Sequence, residues 1–422
     1  MAKKKEIKSG GLPDAFDMIK KIDDTCEIIS ESATSNIKDW ISTGNYLLNA
    51  AISGSLFGGI PAGRISVLSG VSGSAKSYLS CSICREAQYK GYNVLYLDSE
   101  GAIDKNFVSR LGCDPNNMII KQVNTITETS NLIANLCKKE LELEEEYGEH
   151  HKFIIVLDSL GNLTSEKERN DTIATADSKR DFTKTQEIKS LFRVNTTPLA
   201  KLGFPFVVVS HVYQTMDMFG GTELSGGSGI KYNASVTLEL SPCKLDDKSA
   251  NEAKDKAVGK DNIIKTGILV KARPKKSRFT IPRVVSFQLP FYKKPNEYLG
   301  LEAYVAWETA GIGRGNLLTE KEYSKLSDSD KNKVSVFEFN GETKYFYPKD
   351  TARSIVVKHL GEAVPVNEFF TSRVFTEEFL HDIDDRIIRP AFELPDRDSF
   401  QDIEEIEDSI DIGGAVEENV ED

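Results

Sequence analysis

The 422-residue chain is long enough for one large α/β domain with smaller appendages, and its apolar share of 39% is that of an ordinary globular protein. No apolar run approaches the roughly eighteen residues of a membrane helix, and the N-terminus (Met1, Lys3, Lys4, Lys5) lacks a secretory signal's apolar stretch, so a cytoplasmic protein without membrane contact is expected. Six scattered cysteines argue against a disulfide-stapled secreted domain, and the net charge of −12 gathers in a tail, where eleven acidic and no basic residues run from Asp398 onward, leaving the remainder nearly neutral.

In residues 12–32, Phe16, Ile19 and Ile22 recur every three residues among Lys and Asp, which predicts an amphipathic helix ahead of the main domain. Its apolar stripe has to be covered by its own domain or by a neighbouring subunit. From Arg64, short apolar runs predict strands over 65–68, 94–97, 153–157 and 206–209, joined by helix-length connections. Such runs imply an α/β fold with a mainly parallel sheet covered on both faces, and ligands at the strands' carboxyl ends. Segments 235–240, 268–270 and 284–289 extend the sheet. Cys81 and Cys84 form a C-x-x-C with no partner pair at metal spacing, on a stretch that reads as a buried helix. Residues 246–260, alternating Lys with Asp or Glu, read as a solvated loop. The expected division is an N-terminal helix and linker over 1–40, a core over 41–300, a small C-terminal domain over 301–395 ending in a helix at 377–388, and an acidic, disordered tail over 396–422.

The chemistry concentrates at Gly70-Val71-Ser72-Gly73-Ser74-Ala75-Lys76-Ser77, which follows a predicted strand and opens a helix as a P-loop does. Backbone N–H groups in such a loop turn inward around phosphates, Lys76 adds a positive charge, and the Ser77 hydroxyl holds Mg²⁺. Gly70, Ser72, Gly73, Ser74, Ala75, Lys76, Ser77 and Tyr78 are therefore expected to contact ATP. The general pattern carries glycine where this chain has Ala75; a negative φ is expected there, at which a methyl is tolerated. The plain alternative, a Ser/Gly-rich turn unrelated to nucleotides, is opposed by the strand-loop-helix setting. The run 153–157 ends in Asp158, placed to hold the Mg²⁺ shell with Ser77, and the run 94–97 ends in Asp98-Ser99-Glu100. Glu100 is preferred as the base that polarises water for attack on the γ-phosphate, and Asp98 has the bland reading of a strand-end cap.

Ile41-Ser42-Thr43-Gly44, Gly59-Ile60-Pro61-Ala62-Gly63-Arg64, the P-loop and Leu97-Asp98-Ser99-Glu100-Gly101-Ala102-Ile103-Asp104 resemble the RecA recombinase family in order and spacing. Asp158-Ser159-Leu160-Gly161-Asn162-Leu163, Ser190-Leu191-Phe192-Arg193 and Gly226-Gly227-Ser228-Gly229 look most like the UvsX recombinases of T-even-type bacteriophages, with similarity over residues 40–301. The resemblance implies that Asp104 and Phe107 hold adenine, although the residues alone assign Phe107 to the core. It likewise makes His211 a γ-phosphate sensor, where the residues alone read a structural histidine. The loop 212–232, with Tyr213, Met216, Met218, Phe219, Gly226, Gly227 and Lys231, resembles the family's second DNA-binding loop, and 165–180, with Lys167, Arg169, Lys179 and Arg180, occupies the place of the first. Lys271 and Arg273 match cations that act in a neighbouring subunit's ATP site, with Lys275, Lys276 and Arg278 as substitutes.

What the resemblance implies is a DNA-dependent ATPase that forms a homo-oligomeric filament on single-stranded DNA with ATP and Mg²⁺, then pairs that strand with homologous duplex. A recombination mediator and a single-strand-binding protein are the implied partners. The rivals are a helicase-like motor, disfavoured by the forty or so residues ahead of the core, and an assembly paralogue that binds ATP without exchanging strands.

Overall fold

The computed structural model describes residues 14–23, 26–29, 32, 35–169, 182–214, 222–224, 228–243, 267–290 and 296–394. Helix α1 (Ala15–Ile22) is shorter than the predicted 12–32: Asp14 caps it by accepting from the N–H groups of Phe16 and Asp17, and Asp23 is already extended. None of its residues is buried, and Phe16, Met18, Ile19 and Ile22 all face outward. Strand β1 (Trp40–Ile41) pairs with β2 (Ile60–Pro61) on either side of α2 (Tyr46–Ser53).

The chain then lays down β3 (Ile65–Gly70), α3 (Lys76–Tyr89), β4 (Asn93–Asp98), α4 (Lys105–Arg110), β5 (Met118–Gln122), α5 (Ile126–Tyr147) and β6 (Phe153–Asp158). After them come α6 (Phe182–Leu202), β7 (Phe206–Gln214), β8 (Thr222–Leu224), α7 (Ser228–Asn233), β9 (Val236–Cys243), β10 (Gly267–Ser277) and β11 (Val285–Pro290). One sheet takes these strands in the order β11-β10-β9-β3-β7-β6-β4-β5, with β8 paired to β7. The pairings from β9 through β5 are parallel, and β9–β10 and β10–β11 are antiparallel.

The central strands β3, β4, β6 and the first half of β7 are largely apolar because both faces are covered. Val94, Tyr96, Ile154, Val156 and Val207 point into a cluster with α2 and α3; Leu95, Leu97, Ile155, Leu157, Phe206 and Val208 point into a second cluster with α5 and α6. Burying each such side chain contributes ~1.5–3 kcal/mol. Register is fixed by this two-sided alternation, since a slip of one residue would exchange the two sets.

Residues beyond 300 build a five-stranded antiparallel sheet; its Ile312, Val357 and Val364, with Phe369 and Phe375 from the segments that follow it, continue the α2–α3 cluster. The predicted helix over 377–388 is an α-helix at Glu377–Ile383 followed by a π-helical turn at Asp384–Ile388. Asp384, buried in that turn, accepts from the Leu56 N–H and the Ser55 hydroxyl, both at 2.7 Å, and from Arg389 at 3.0 Å, which ties the turn to the loop after α2. Cys81 and Cys84 are buried in α3, as their setting predicts. Among the described residues no helix is long and apolar enough to cross a membrane. Residues 246–260 and 396–422 lie outside the described residues.

Candidate nucleotide-binding site

Sheet register assembles the site at the strands' carboxyl ends. His211 of β7 lies directly opposite Gly70 of β3, and Asp158 of β6 opposite Asp98 of β4. The run expected over 206–209, with His211 at its end, continues as strand to Gln214, so His211 lies within the strand rather than at its end.

At the loop between β3 and α3, a Cβ on Gly70 would come within 2.4 Å of both the Leu240 carbonyl and the Ser74 hydroxyl, so only glycine fits that approach. Gly73 has φ +75° with nothing within 4 Å of its added Cβ, so backbone conformation is what requires glycine there, beside open space. Ala75 corrects the expectation of a negative φ: it stands at φ 66°, ψ 28°, in the left-handed region, because the chain must turn tightly into α3. That conformation costs an L-residue ~1–2 kcal/mol. Ala75→Gly is therefore expected to raise stability by about 1 kcal/mol, read as an upward shift in melting temperature; a lower melting temperature would mean that packing of the methyl outweighs the strain.

Lys76 is 6% exposed, and its Nζ donates to the carbonyls of Gly70 (3.0 Å) and Val71 (2.8 Å), so the ammonium is held inside the loop. Burial pushes its pKa down, against the carboxylates of Asp158 and Glu100. The Ser77 side chain hydrogen-bonds to Asp158, whose carboxyl burial pushes above the ordinary value despite that bond and one from Tyr96. The Tyr96 hydroxyl donates to Asp158 Oδ2 at 2.8 Å. A hydroxyl beside a buried carboxylate is an all-oxygen donor set, which suits a hard divalent cation such as Mg²⁺. Tyr78 is buried in the first turn of α3 and Ser72 lies exposed on the loop.

Asp98 is the strand-end cap its position allowed: its Oδ1 accepts from the N–H groups of Glu100 (2.9 Å) and Gly101 (2.8 Å). Glu100 Oε1 accepts from the Ser159 hydroxyl at 2.7 Å and stands 3.0 Å from His211 Nε2. Burial would raise the Glu100 pKa, but the Ser159 and His211 hydrogen bonds, with the charges of His211 and Lys76, hold it below the usual value. Ser99 Oγ in turn donates to the Ser159 carbonyl (2.7 Å) and accepts from its N–H (2.8 Å), locking the two strand ends together. Nothing local in the sequence marks Tyr96, and Ser99 and Ser159 are marked only by standing just past the ends of β4 and β6.

Asp104 caps α4 by accepting from the Phe107 N–H at 2.8 Å, and Phe107 is half-buried against the α2–α3 cluster. Beside them lies a cavity of about 250 Å³ lined by Ile103, Asp104, Val108, Pro115 and Met118. The loop expected over 212–232 begins as a hairpin, with Val212, Tyr213 and Gln214 paired to Leu224, Glu223 and Thr222, and ends in α7. Tyr213 is 62% exposed, Arg169 is exposed, and the Lys231 backbone belongs to α7. Lys179, Arg180, Met216, Met218, Phe219, Gly226 and Gly227 lie outside the described residues. Lys271 and Arg273 point outward from β10 between buried Val270, Ala272 and Pro274, opposite Ser241 and Glu239 of β9, near the level of the P-loop. They have no ion-pair partner among the described residues, whereas Lys275 pairs with Glu239 (3.3 Å) and Lys276 donates to the Tyr232 carbonyl (3.1 Å).

Comparison with known proteins agrees with this geometry. The RecA N-terminal domain model matches residues 14–278, more than half of the chain. The recombination and repair protein of Enterobacteria phage T4 is 31% identical over 216 residues, 51% of this chain and 53% of that protein. Protein RecA of Cytophaga hutchinsonii is 28% identical over 254 residues, covering 60% and 64%, and that of Anaplasma marginale 25% over 230 residues, covering 54% and 58%. The chain thus spans roughly half to under two thirds of the length of these relatives. The ordered strand-end motifs and the family match together place the chain in the RecA family.

Proposed function

We propose that the chain is an ATP-dependent recombinase that assembles on single-stranded DNA and pairs it with homologous duplex. The observation that carries this reading is the course of β7: His211 touches Glu100 at the nucleotide site, and two residues later Tyr213 is exposed on the hairpin that opens the second loop. One strand therefore joins the reacting centre to the DNA-facing segment.

In this reading the loop N–H groups and Lys76 hold the β- and γ-phosphates of ATP. Ser77 and Asp158 hold Mg²⁺, which when bound neutralises phosphate charge. Glu100, kept ionised by Ser159 and His211, orients and deprotonates the attacking water. Asp104 and Phe107 flank the adenine. His211 exchanges Glu100 for the γ-phosphate and pulls on β7, so ATP and DNA favour one assembled state. Arg169, Lys179, Arg180, Tyr213, Met216, Phe219, Gly226, Gly227 and Lys231 serve the strand, cations and backbone gripping phosphates and apolar groups wedging between bases.

Self-assembly is favoured by two features left open in a single copy. The apolar face of α1 is uncovered, and the edge strand β5 exposes Ile119 and Ile120. Lys271 and Arg273, which have no ion-pair partner among the described residues, reach a neighbour's γ-phosphate. Residues 301–395 act as a small C-terminal domain, and the acidic tail competes with DNA for a basic surface. The site of action is the cytoplasm, that of the host if the gene is viral, with a loading mediator and a single-strand-binding protein as partners.

The test is ATP hydrolysis with and without single-stranded DNA, followed by exchange between a circular single strand and a linear duplex. The expected result is DNA-stimulated hydrolysis and joint-molecule formation. Hydrolysis indifferent to DNA, or DNA-stimulated hydrolysis without joint molecules, would favour one of the rivals, a motor or an assembly paralogue.

A further inference from the structure

A buried line of hydroxyls behind Asp158 has no role in the reading above. Tyr96, on β4, is fully buried; its hydroxyl donates to Asp158 Oδ2 at 2.8 Å and stands 3.1 Å from Ser80 Oγ, which donates to the Ser77 carbonyl at 2.9 Å. Ser77 and Ser80 are three residues apart and so share one face of α3. The line therefore spans three elements: the helix that carries the Ser77 hydroxyl, β4, and the strand that carries Asp158.

A phenylalanine would fill the same space in the apolar cluster, so packing does not account for the phenol oxygen. A carboxylate at a strand end can rotate about its last torsion unless something fixes one oxygen. Tyr96 fixes Oδ2 from β4, while the Ser77 hydroxyl meets the same carboxylate from the first turn of α3. We infer that Tyr96 is a positioning residue for the divalent cation, holding the Asp158 carboxylate in the orientation that lets it and Ser77 bind the metal together. The inference rests on the assignment of Ser77 and Asp158 to Mg²⁺ made above.

The test uses the full chain and a fluorescent, non-hydrolysable ATP analogue, with its affinity followed across a Mg²⁺ titration and again in EDTA. Tyr96→Phe is expected to raise the Mg²⁺ midpoint about tenfold, the effect of losing one hydrogen bond to a charged group, with affinity in EDTA unchanged. A purely structural hydroxyl would move the melting temperature and leave the Mg²⁺ midpoint at the wild-type value, which overturns the inference. Should Tyr96→Phe lower the EDTA affinity as well, Ser80→Ala decides: a raised midpoint supports the positioning line, a wild-type midpoint rejects it. Failure of the underlying assignment looks different, because wild type and Asp158→Asn would then respond identically to Mg²⁺.

Discussion

Lys76→Ala is expected to lower DNA-stimulated ATP hydrolysis by about 10²–10³-fold, the range seen when one preorganised charge or donor is removed from an anionic transition state. The ammonium is held inside the loop by the carbonyls of Gly70 and Val71, where an entering phosphate would meet it. Its pKa is pushed down by burial and held up by Asp158 and Glu100, which means that the loop carries a cation whose own environment favours an added anion. Removing it relieves a desolvated charge, so the melting temperature without nucleotide should stay level or rise. Loss of hydrolysis with an unchanged or higher melting temperature would locate the effect in the chemistry. Lys76→Arg keeps the charge but not the compact point geometry, and should recover only part of the activity. Hydrolysis in Lys76→Ala within a few-fold of wild type would remove the P-loop from the reaction.

The sequence discloses most of the sheet because strands buried on both faces are apolar without interruption, so 65–68, 94–97, 153–157 and 206–209 stand out from their surroundings. It also discloses Gly70 and Gly73, whose need for glycine is visible in the loop geometry. What it hides is whatever depends on two distant segments meeting. The Glu100–His211 contact joins residues 111 apart, and the Tyr96–Asp158 bond residues 62 apart; neither leaves a local pattern. Ala75 misleads for a different reason: its type argues for an ordinary helical start, whereas the tightness of the turn decides its φ. The length of α1 is hidden too, because the apolar spacing of Phe16, Ile19 and Ile22 marks a face without marking the extended residue that ends the helix.

His211→Ala should separate hydrolysis from DNA. Coupling between two ligands is worth 5–150-fold in affinity in typical cases, so an ATP analogue is expected to tighten single-stranded DNA binding by about that factor in wild type. In His211→Ala the factor should fall toward one. The variant also carries a pH signature. Glu100 is held below the ordinary carboxylate range by Ser159, by the His211 hydrogen bond and charge, and by Lys76, while burial works the other way. Removing His211 deletes two of the lowering influences, so the Glu100 pKa rises and the acid limb of the pH–rate profile moves to higher pH.

Stability must follow the same sign. A carboxylate with a depressed folded-state pKa stabilises the fold above its unfolded pKa, and that stabilisation disappears as pH falls through the folded value. The melting-temperature gap between wild type and His211→Ala should therefore be widest near neutral pH and close in acid. His211→Gln keeps a donor but no charge: it should restore part of the DNA coupling while the acid limb stays displaced. Full coupling in His211→Ala, with the acid limb unmoved, would mean that the contact with Glu100 is incidental and that another segment carries the signal from nucleotide to DNA.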